Sequence, residues 1–126
     1  MRWGLIPSWA KDASIGSKCI NARGDGVAAK PAFRSAYKAR RCLVPVSGFY
    51  EWQPGPDGKP PKQPYYITAA AGGPLTFAGL WETWRGDEKI PGPVETFTIV
   101  TTEANAEMAP LHDRMPVILA QKDWDT

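Results

Sequence analysis

The sequence predicts an α+β domain, a strand-rich curled sheet or barrel with short helices at its rim. Thirteen prolines and twelve glycines divide the chain into short segments, a pattern that suits strands joined by turns. The segments between them are rich in Val, Ile, Phe, Tyr, Trp and Thr, which favour strands. A length of 126 residues with 43% apolar residues fits one domain with a packed core.

Strand composition recurs in several segments along the chain. In order, these are Arg41–Val46, Phe49–Gln53, Tyr65–Ala69, Leu75–Glu82, Thr96–Thr101 and Met115–Leu119. Turn-forming residues predict loops at 54–61 and at 85–93.

Two segments have helical character. Pro31–Arg40 is predicted as a short helix, because proline suits a first turn and Phe33 and Tyr37 lie four residues apart on one face. Glu103–Ala109 is predicted as a second short helix, ended by the proline that follows it. A further element is expected to begin at Asp123.

Charge and cysteine usage narrow the class of protein. The net charge is only +2, so nucleic-acid binding must depend on local clusters such as Arg34, Lys38, Arg40 and Arg41, which also fit a solvated helix end. Cys19 and Cys42 lie in apolar segments and are expected to be buried free thiols, as in a reducing compartment such as the cytoplasm. One histidine and two separated cysteines make no metal-ligand set. We expect no cofactor, no signal peptide and no membrane span.

Glu51 is a candidate general acid. It lies between Tyr50 and Trp52 in a predicted strand, so alternation places it on the opposite face from both aromatics and on the same face as Phe49 and Gln53. A carboxyl group among apolar neighbours can donate protons near neutral pH. The simpler interpretation is an ordinary exposed strand glutamate.

His112 is the only histidine and a candidate for proton transfer. It precedes Asp113 and Arg114, although adjacency in a loop does not guarantee a His–Asp contact. The alternative interpretation is a structural histidine that caps the turn before the last strand.

Asn21 and Arg23 lie two residues apart and share a face in an extended segment. An amide can orient a sugar oxygen, and an arginine can bind a phosphate. A turn asparagine beside a surface arginine is the alternative. Among the six tryptophans, Trp9 and then Trp52 have the context of base-stacking residues. The others are expected to lie in the core.

The motifs as a set resemble the SRAP (SOS response-associated peptidase) domain family. The resemblance extends over nearly the whole chain and rests on separate blocks in the family's order, which include Arg2-Trp3-Gly4-Leu5-Ile6-Pro7, Ile20-Asn21-Ala22-Arg23, Gly48-Phe49-Tyr50-Glu51-Trp52, Phe77-Ala78-Gly79-Leu80-Trp81-Glu82 and His112-Asp113-Arg114-Met115-Pro116.

The resemblance implies recognition of abasic sites in single-stranded DNA. In the family, the α-amine and thiol of an N-terminal cysteine close a thiazolidine with the sugar aldehyde, and proximity favours that ring closure. By position, Asn21, Glu51 and His112 match the catalytic residues of the family. The DNA-binding residues of the family match Arg23, Trp9, Trp52, Thr101 and Arg114.

The chain departs from the family pattern at its start, where Met1-Arg2-Trp3 replaces Met-Cys-Gly-Arg. We expect residues 1–126 to form a single partial SRAP-like domain that lacks both ends, the nucleophile included. Neither Cys19 nor Cys42 can substitute, because an internal cysteine has no free α-amine. Two alternatives stay open: a non-covalent single-stranded DNA-binding module, and a cysteine hydrolase that uses Cys42 and His112. The oligomeric state is not predicted.

Overall fold

The computed structural model describes residues 1–124. The strands are β1 (Arg2–Trp3), β2 (Asn21–Arg23), β3 (Arg41–Val46), β4 (Phe49–Gln53), β5 (Gln63–Ile67), β6 (Leu75–Gly86), β7 (Pro91–Glu103) and β8 (Arg114–Pro116). A single α-helix occurs within the described residues, α1 (Arg34–Ala39), and short 3₁₀ turns cover Ala13–Lys18, Pro56–Gly58 and Gln121–Asp123.

β7 is the centre of the main sheet, which contains six strands within residues 1–124. One edge of β7 pairs in parallel with β1 and then β2, and the other edge pairs antiparallel with β6 and then β8. β3 extends the sheet beyond β6. The segment after β8 continues between the two long strands, since Val117 donates to the carbonyl of Val100 and Leu119 to that of Thr76. The sheet is therefore curled and splayed at one end, and it is not a closed barrel.

The loop expected at 85–93 is shorter than predicted, because β6 and β7 form one long hairpin in which β6 ends at Gly86 and β7 begins at Pro91. The Asp87 carboxylate accepts hydrogen bonds from the backbone amides of Lys89 and Ile90, at 2.9 and 2.7 Å. This side chain closes the turn tightly enough for both strands to continue to it. Gly86 has a φ of 88° beside the turn, where a β-carbon would collide with the backbone of Gly92.

One part of the core lies on the face of the main sheet that α1 covers. Leu5, Ala22, Phe33, Ala36 and Leu80 pack there under α1, and Trp84 is fully buried in an adjoining cluster. The indole Nε1 of Trp84 donates to the carbonyl of Ala10 at 2.8 Å, so the polar atom of this buried ring is satisfied.

The interpretation of Arg40 as part of a solvated basic cluster is wrong. Its guanidinium Nη2 lies 2.9 Å from the carboxylate of Glu82, whose side chain is 7% exposed. Arg40 therefore neutralises a buried acid. Arg41 turns the other way, over the ring of Tyr37 at 4.6 Å, in a cation–π contact.

The predicted helices are shorter than expected or missing. α1 begins at Arg34, because the preceding residues form a separate turn in which Phe33 and Arg34 both donate to the carbonyl of Lys30. The segment 103–109 is not a helix. The Asn105 side chain accepts from the amide of Met108 as an N-cap does, and Ala109 donates to the carbonyl of Asn105. Pro110 then follows, so only a short turn forms.

Strand boundaries also differ from those predicted. Four observed strands have shifted or extended ends: β5, β6, β7 and β8. β1 and β2 were not predicted, since two or three residues carry no readable alternation. The element expected from Asp123 onward extends outside the described residues. Within residues 1–124, no helix is long and apolar enough to cross a membrane.

The second face of the main sheet carries the β4–β5 hairpin, which forms its own two-stranded sheet. The ring of Phe49 meets Phe77 edge-on, with centroids 5.4 Å apart and planes at 78°. This contact belongs to a third apolar cluster with Leu75 and Ile99. The candidate site lies on this face.

Candidate nucleic-acid interface

Asn21, Arg23 and Thr101 share one face of the main sheet. The parallel register pairs Asn21 with Ile99 and Arg23 with Thr101, and cross-strand partners point to the same side of a sheet. Ala22, between the first two, is buried in the core on the opposite side. Burial of Ala22 therefore turns its two polar neighbours outward.

Arg114 reaches the same place from the other edge of β7. It pairs with Glu103 in the β7–β8 register, and its Nη2 donates to the carbonyl and to the hydroxyl oxygen of Thr101, at 3.1 and 3.2 Å. The side chain of Arg114 is only 18% exposed. Its Nε is buried with no hydrogen-bond partner among residues 1–124.

Asp25 adds a carboxylate between the two arginines. Its Oδ1 lies 3.4 Å from Arg23 Nε, and its Oδ2 lies 3.5 Å from Arg23 Nη2. Arg114 Nη2 is 4.0 Å from Oδ1. The hydrogen bond from Arg23, with the charge of Arg114 in support, lowers the pKa of Asp25 below its ordinary value.

Two adjoining clefts open beside this cluster. One, of about 450 Å³, is lined by Arg23, Glu103, Ala104, Ala109, Asp113 and Arg114. The other, of about 250 Å³, is lined by Gly24, Asp25, Thr101, Thr102, Glu103, Arg114 and Val117. Both arginines thus border open space large enough for a phosphate group.

His112 is held by the backbone that follows it. The amide of Arg114 donates to His112 Nδ1 at 3.1 Å. When Nδ1 is protonated, it can instead donate to the carbonyl of Arg114 or to Asp113 Oδ1, each 3.2 Å away. The imidazole is 42% exposed and is therefore accessible to a ligand. The Asp113 contact that sequence adjacency left open is present.

Glu51 lies on the inner face of β4, as strand alternation predicted. It is half-buried, whereas Tyr50 and Trp52 on the other face are 66% and 52% exposed. Phe49 and Gln53 lie on the same face as Glu51 and hold the two ends of β4 in place. Phe49 contacts Phe77, and Gln53 Nε2 donates a 2.8 Å hydrogen bond to the carbonyl of Pro110.

The hydrogen bond from Gln53 therefore joins the strand of Glu51 to the loop that leads into His112. The Glu51 carboxylate has no hydrogen bond or ion pair within the described part of the chain, which leaves it available to a ligand. Gln53 was missed as a contributor to the site, because a strand glutamine has no local pattern that signals a bond to residue 110.

The two tryptophans proposed for stacking are exposed but lie in different places. Trp52 is on the outer face of the hairpin, beside the Tyr50–Tyr66 ring pair, whose centroids are 4.8 Å apart. Trp9 is 55% exposed, and its Nε1 lies 3.4 Å from the carbonyl of Pro31. Neither ring contacts the arginine cluster, which consists of Arg23, Asp25, Thr101 and Arg114.

Cys42 and His112 do not form a nucleophilic pair within residues 1–124. Cys42 pairs with Gly79 in the β3–β6 ladder, and burial raises the pKa of its thiol. The same cause raises the pKa of the Cys19 thiol. In the same described residues, no group of three or more His, Cys, Asp or Glu side chains has the arrangement of a metal site.

Several known proteins are similar to this chain in sequence and fold. The Bacillus subtilis "abasic site processing protein YoaM" is 47% identical over 127 residues, a match covering 98% of this chain and 54% of that protein. The Gallus gallus "abasic site processing protein HMCES" is 34% identical over 141 residues, covering 94% of this chain and 41% of its own length. This chain therefore spans about half the length of such relatives.

A solved structure and a family model agree with these relatives. The crystal structure of a Bacteroides thetaiotaomicron protein superposes with a TM-score of 0.89 at 33% identity, covering 98% of this chain and 54% of that one. This likeness confirms the predicted strand-rich α+β class. The model of the family described as "SOS response associated peptidase (SRAP)" matches residues 1–126. The chain belongs to the SRAP family.

Proposed function

We propose that this chain recognises abasic sites in single-stranded DNA, as part of a single SRAP-like domain. The observation that carries the proposal is the convergence of Arg23, Thr101 and Arg114 on β7 beside open clefts. Two guanidinium groups next to a hydroxyl make a phosphate-binding arrangement. The names of the relatives supply the lesion class.

Asn21 is the residue that we assign to the sugar at the lesion. It lies on the same sheet face as Arg23, two residues earlier. Its amide NH2 can donate to a hydroxyl or carbonyl oxygen of a ring-opened sugar, and its amide oxygen can accept from a hydroxyl. A lesion without a base leaves room for such a contact.

Glu51 and His112 are the residues that we assign to proton handling. Ring opening of the sugar and condensation at its aldehyde both require proton transfers, which a carboxyl and an imidazole can perform. Glu51 has no partner within residues 1–124, and the Gln53–Pro110 hydrogen bond joins its strand to the His112 loop. Neither Cys19 nor Cys42 carries a free α-amine. The roles that we propose for Glu51 and His112 are therefore lesion recognition and proton transfer.

Trp9 and Trp52 are the residues that we assign to stacking on unpaired bases. Both rings are more than half exposed, and every base offers a π-face to an aromatic side chain. Their separation from the arginine cluster fits a strand that crosses the surface over several nucleotides.

The test is fluorescence anisotropy with labelled single strands of about 15 nucleotides, with and without one central abasic-site analogue. Arg23→Ala is expected to weaken binding to both and to reduce the slope of log K against log salt by about 0.7. Arg85→Ala is the matched control, since Arg85 is an exposed arginine at the far end of the hairpin. Asn21→Ala should reduce the preference for the lesion and leave the slope unchanged.

Equal effects of Arg23→Ala and Arg85→Ala would contradict the phosphate assignment. Equal binding of the intact and abasic strands by the parent chain would contradict lesion recognition and leave a general single-strand binder.

A further inference from the structure

Asp25 lies in a turn that is fixed against the end of β7. The amide of Gly24 donates to the carbonyl of Thr101 at 2.8 Å, and that of Gly26 to the carbonyl of Arg23 at 3.1 Å. The backbone on both sides of Asp25 is therefore held, while its side chain is 66% exposed. The carboxylate has a defined position beside the arginines and free access to solvent.

The carboxylate presents both oxygens to Arg23 and one to Arg114. The distances are 3.4 and 3.5 Å to Arg23 and 4.0 Å to Arg114. Two oxygens facing one guanidinium are the geometry that a phosphodiester also offers to arginine. Asp25 thus occupies the arginine atoms that a phosphate would bind.

These contacts are weak enough to be exchanged. They lie at the long end of hydrogen-bond distances, and exposed ion pairs in water contribute little net stability. Arg114 is held in place independently by Thr101. The arrangement of Arg114 therefore does not depend on Asp25.

Resting on the proposed function, we propose that Asp25 is a displaceable internal substitute for a DNA phosphate. In the free protein, its carboxylate neutralises Arg23 and part of the charge of Arg114. When a strand binds, a phosphate takes its place on the two guanidinium groups. Asp25 is thereby a specificity-determining residue: it lowers the affinity for any polyanion and makes binding depend on the contacts at the lesion.

The test compares Asp25→Asn with the parent chain by anisotropy on an intact single strand, over salt concentrations from about 50 to 500 mM. Asp25→Asn is expected to bind about fivefold tighter at the lowest salt, with a slope steeper by about 0.7, so that the gain disappears at the highest salt. Asp25→Glu retains the charge and should behave as the parent does. Glu88→Gln is the matched control, because it removes one exposed carboxylate at the far end of the hairpin.

A second comparison separates a direct effect from a general charge effect. In an Arg23→Ala background, Asp25→Asn should lose most of its gain, because the guanidinium that it frees is absent. A thermal melt verifies folding of each variant. If Asp25→Asn does not fold, Asp25→Ser makes the same charge change and takes its place.

The outcomes are distinguishable. Parallel salt slopes for Asp25→Asn and Glu88→Gln would overturn the proposal. Weaker binding by Asp25→Asn would also overturn it, because Asp25 would then be needed to hold the arginines in position. Absence of any salt-dependent binding by the parent chain would overturn the proposed function itself, and this proposal with it.

Discussion

Arg114 and Thr101 form the connection that unites the two edges of β7. One guanidinium nitrogen of Arg114 donates to both the carbonyl and the hydroxyl of Thr101, at 3.1 and 3.2 Å. The same threonine pairs with Arg23 across the other edge. The candidate phosphate site therefore depends on a contact that also holds β8 in the sheet.

Arg114→Ala is expected to lower the free energy of unfolding by about 1–3 kcal/mol, because hydrogen bonds from a charged, largely buried group are lost. Arg114→Lys should retain the charge but not the paired contacts, and should lie between the parent and the alanine variant. Urea unfolding measures the loss, with exposed Arg85→Ala as the control. An unfolding free energy equal to that of Arg85→Ala would show that the contact contributes nothing.

Arg40→Ala is expected to be more damaging, at about 3–5 kcal/mol, because it leaves the buried carboxylate of Glu82 without its partner. Adding Glu82→Gln should recover part of this loss, since a neutral amide costs less to bury. The nearby exposed Arg34→Ala is the control in the same urea experiment. If Arg40→Ala and Arg34→Ala unfold alike, the pair is not structural.

Gln53→Ala is expected to loosen the loop before His112, because the Gln53–Pro110 bond at 2.8 Å joins the hairpin to that loop. The readout is hydrogen exchange at the amides of Ala109 and His112, which should quicken. Gln63→Ala is the control, since the Gln63 side chain donates to the carbonyl of the adjacent Pro64 and to no distant element within residues 1–124. Unchanged hydrogen exchange in Gln53→Ala would show that the Gln53–Pro110 bond does not restrain the His112 loop.

Trp52→Ala is expected to weaken single-strand binding by about 1–3 kcal/mol through loss of stacking on one base. Because the Trp52 ring is exposed and its side chain has no hydrogen bond or ring stacking within residues 1–124, the unfolding midpoint should change little. Trp3→Ala is the contrasting variant, since that ring stacks on Phe97 and its Nε1 donates to the carbonyl of Ile20. Trp3→Ala should lower the midpoint. Unaltered binding by Trp52→Ala would show that single-stranded DNA does not contact the outer face of the β4–β5 hairpin.

The thiols of Cys19 and Cys42 should react slowly with a disulfide reagent in the folded chain and quickly in urea. Burial raises the pKa of both above the ordinary 9.0, and only the thiolate reacts. The folded state holds these protons more tightly, so the thiols' contribution to stability is present below pH 9.0 and is lost as pH rises through the folded pKa. Equal rates in folded and unfolded chains would contradict this.

Part of the site could be predicted from local sequence. Placement of Glu51 opposite Trp52 follows from the two-residue period of a strand, a property of the backbone that needs no partner. The position of Arg23 relative to Asn21 follows from the same period. The match of separated motifs to the SRAP family was also readable, because it depends on order and residue type alone.

Other features could not be predicted, because long-range partners create them. β1 and β2 are too short to show a pattern and exist only through pairing with β7, some 75 to 95 residues later. Arg40 has the sequence context of a surface residue, but Glu82, 42 residues away, draws it inward. The predicted helix at 103–109 is only a turn, because β7 extends to Glu103 and Pro110 follows soon after the Asn105 cap.

The sequence by itself determined the family, the strand-rich class and the faces of individual strands, since these depend on composition and on the local geometry of an extended backbone. The tertiary structure alone decided that Arg23, Asp25, Thr101 and Arg114 meet at one place. That meeting requires β7 to pair on both edges, and hydrogen bonds between distant strands have no signature in the sequence near either partner.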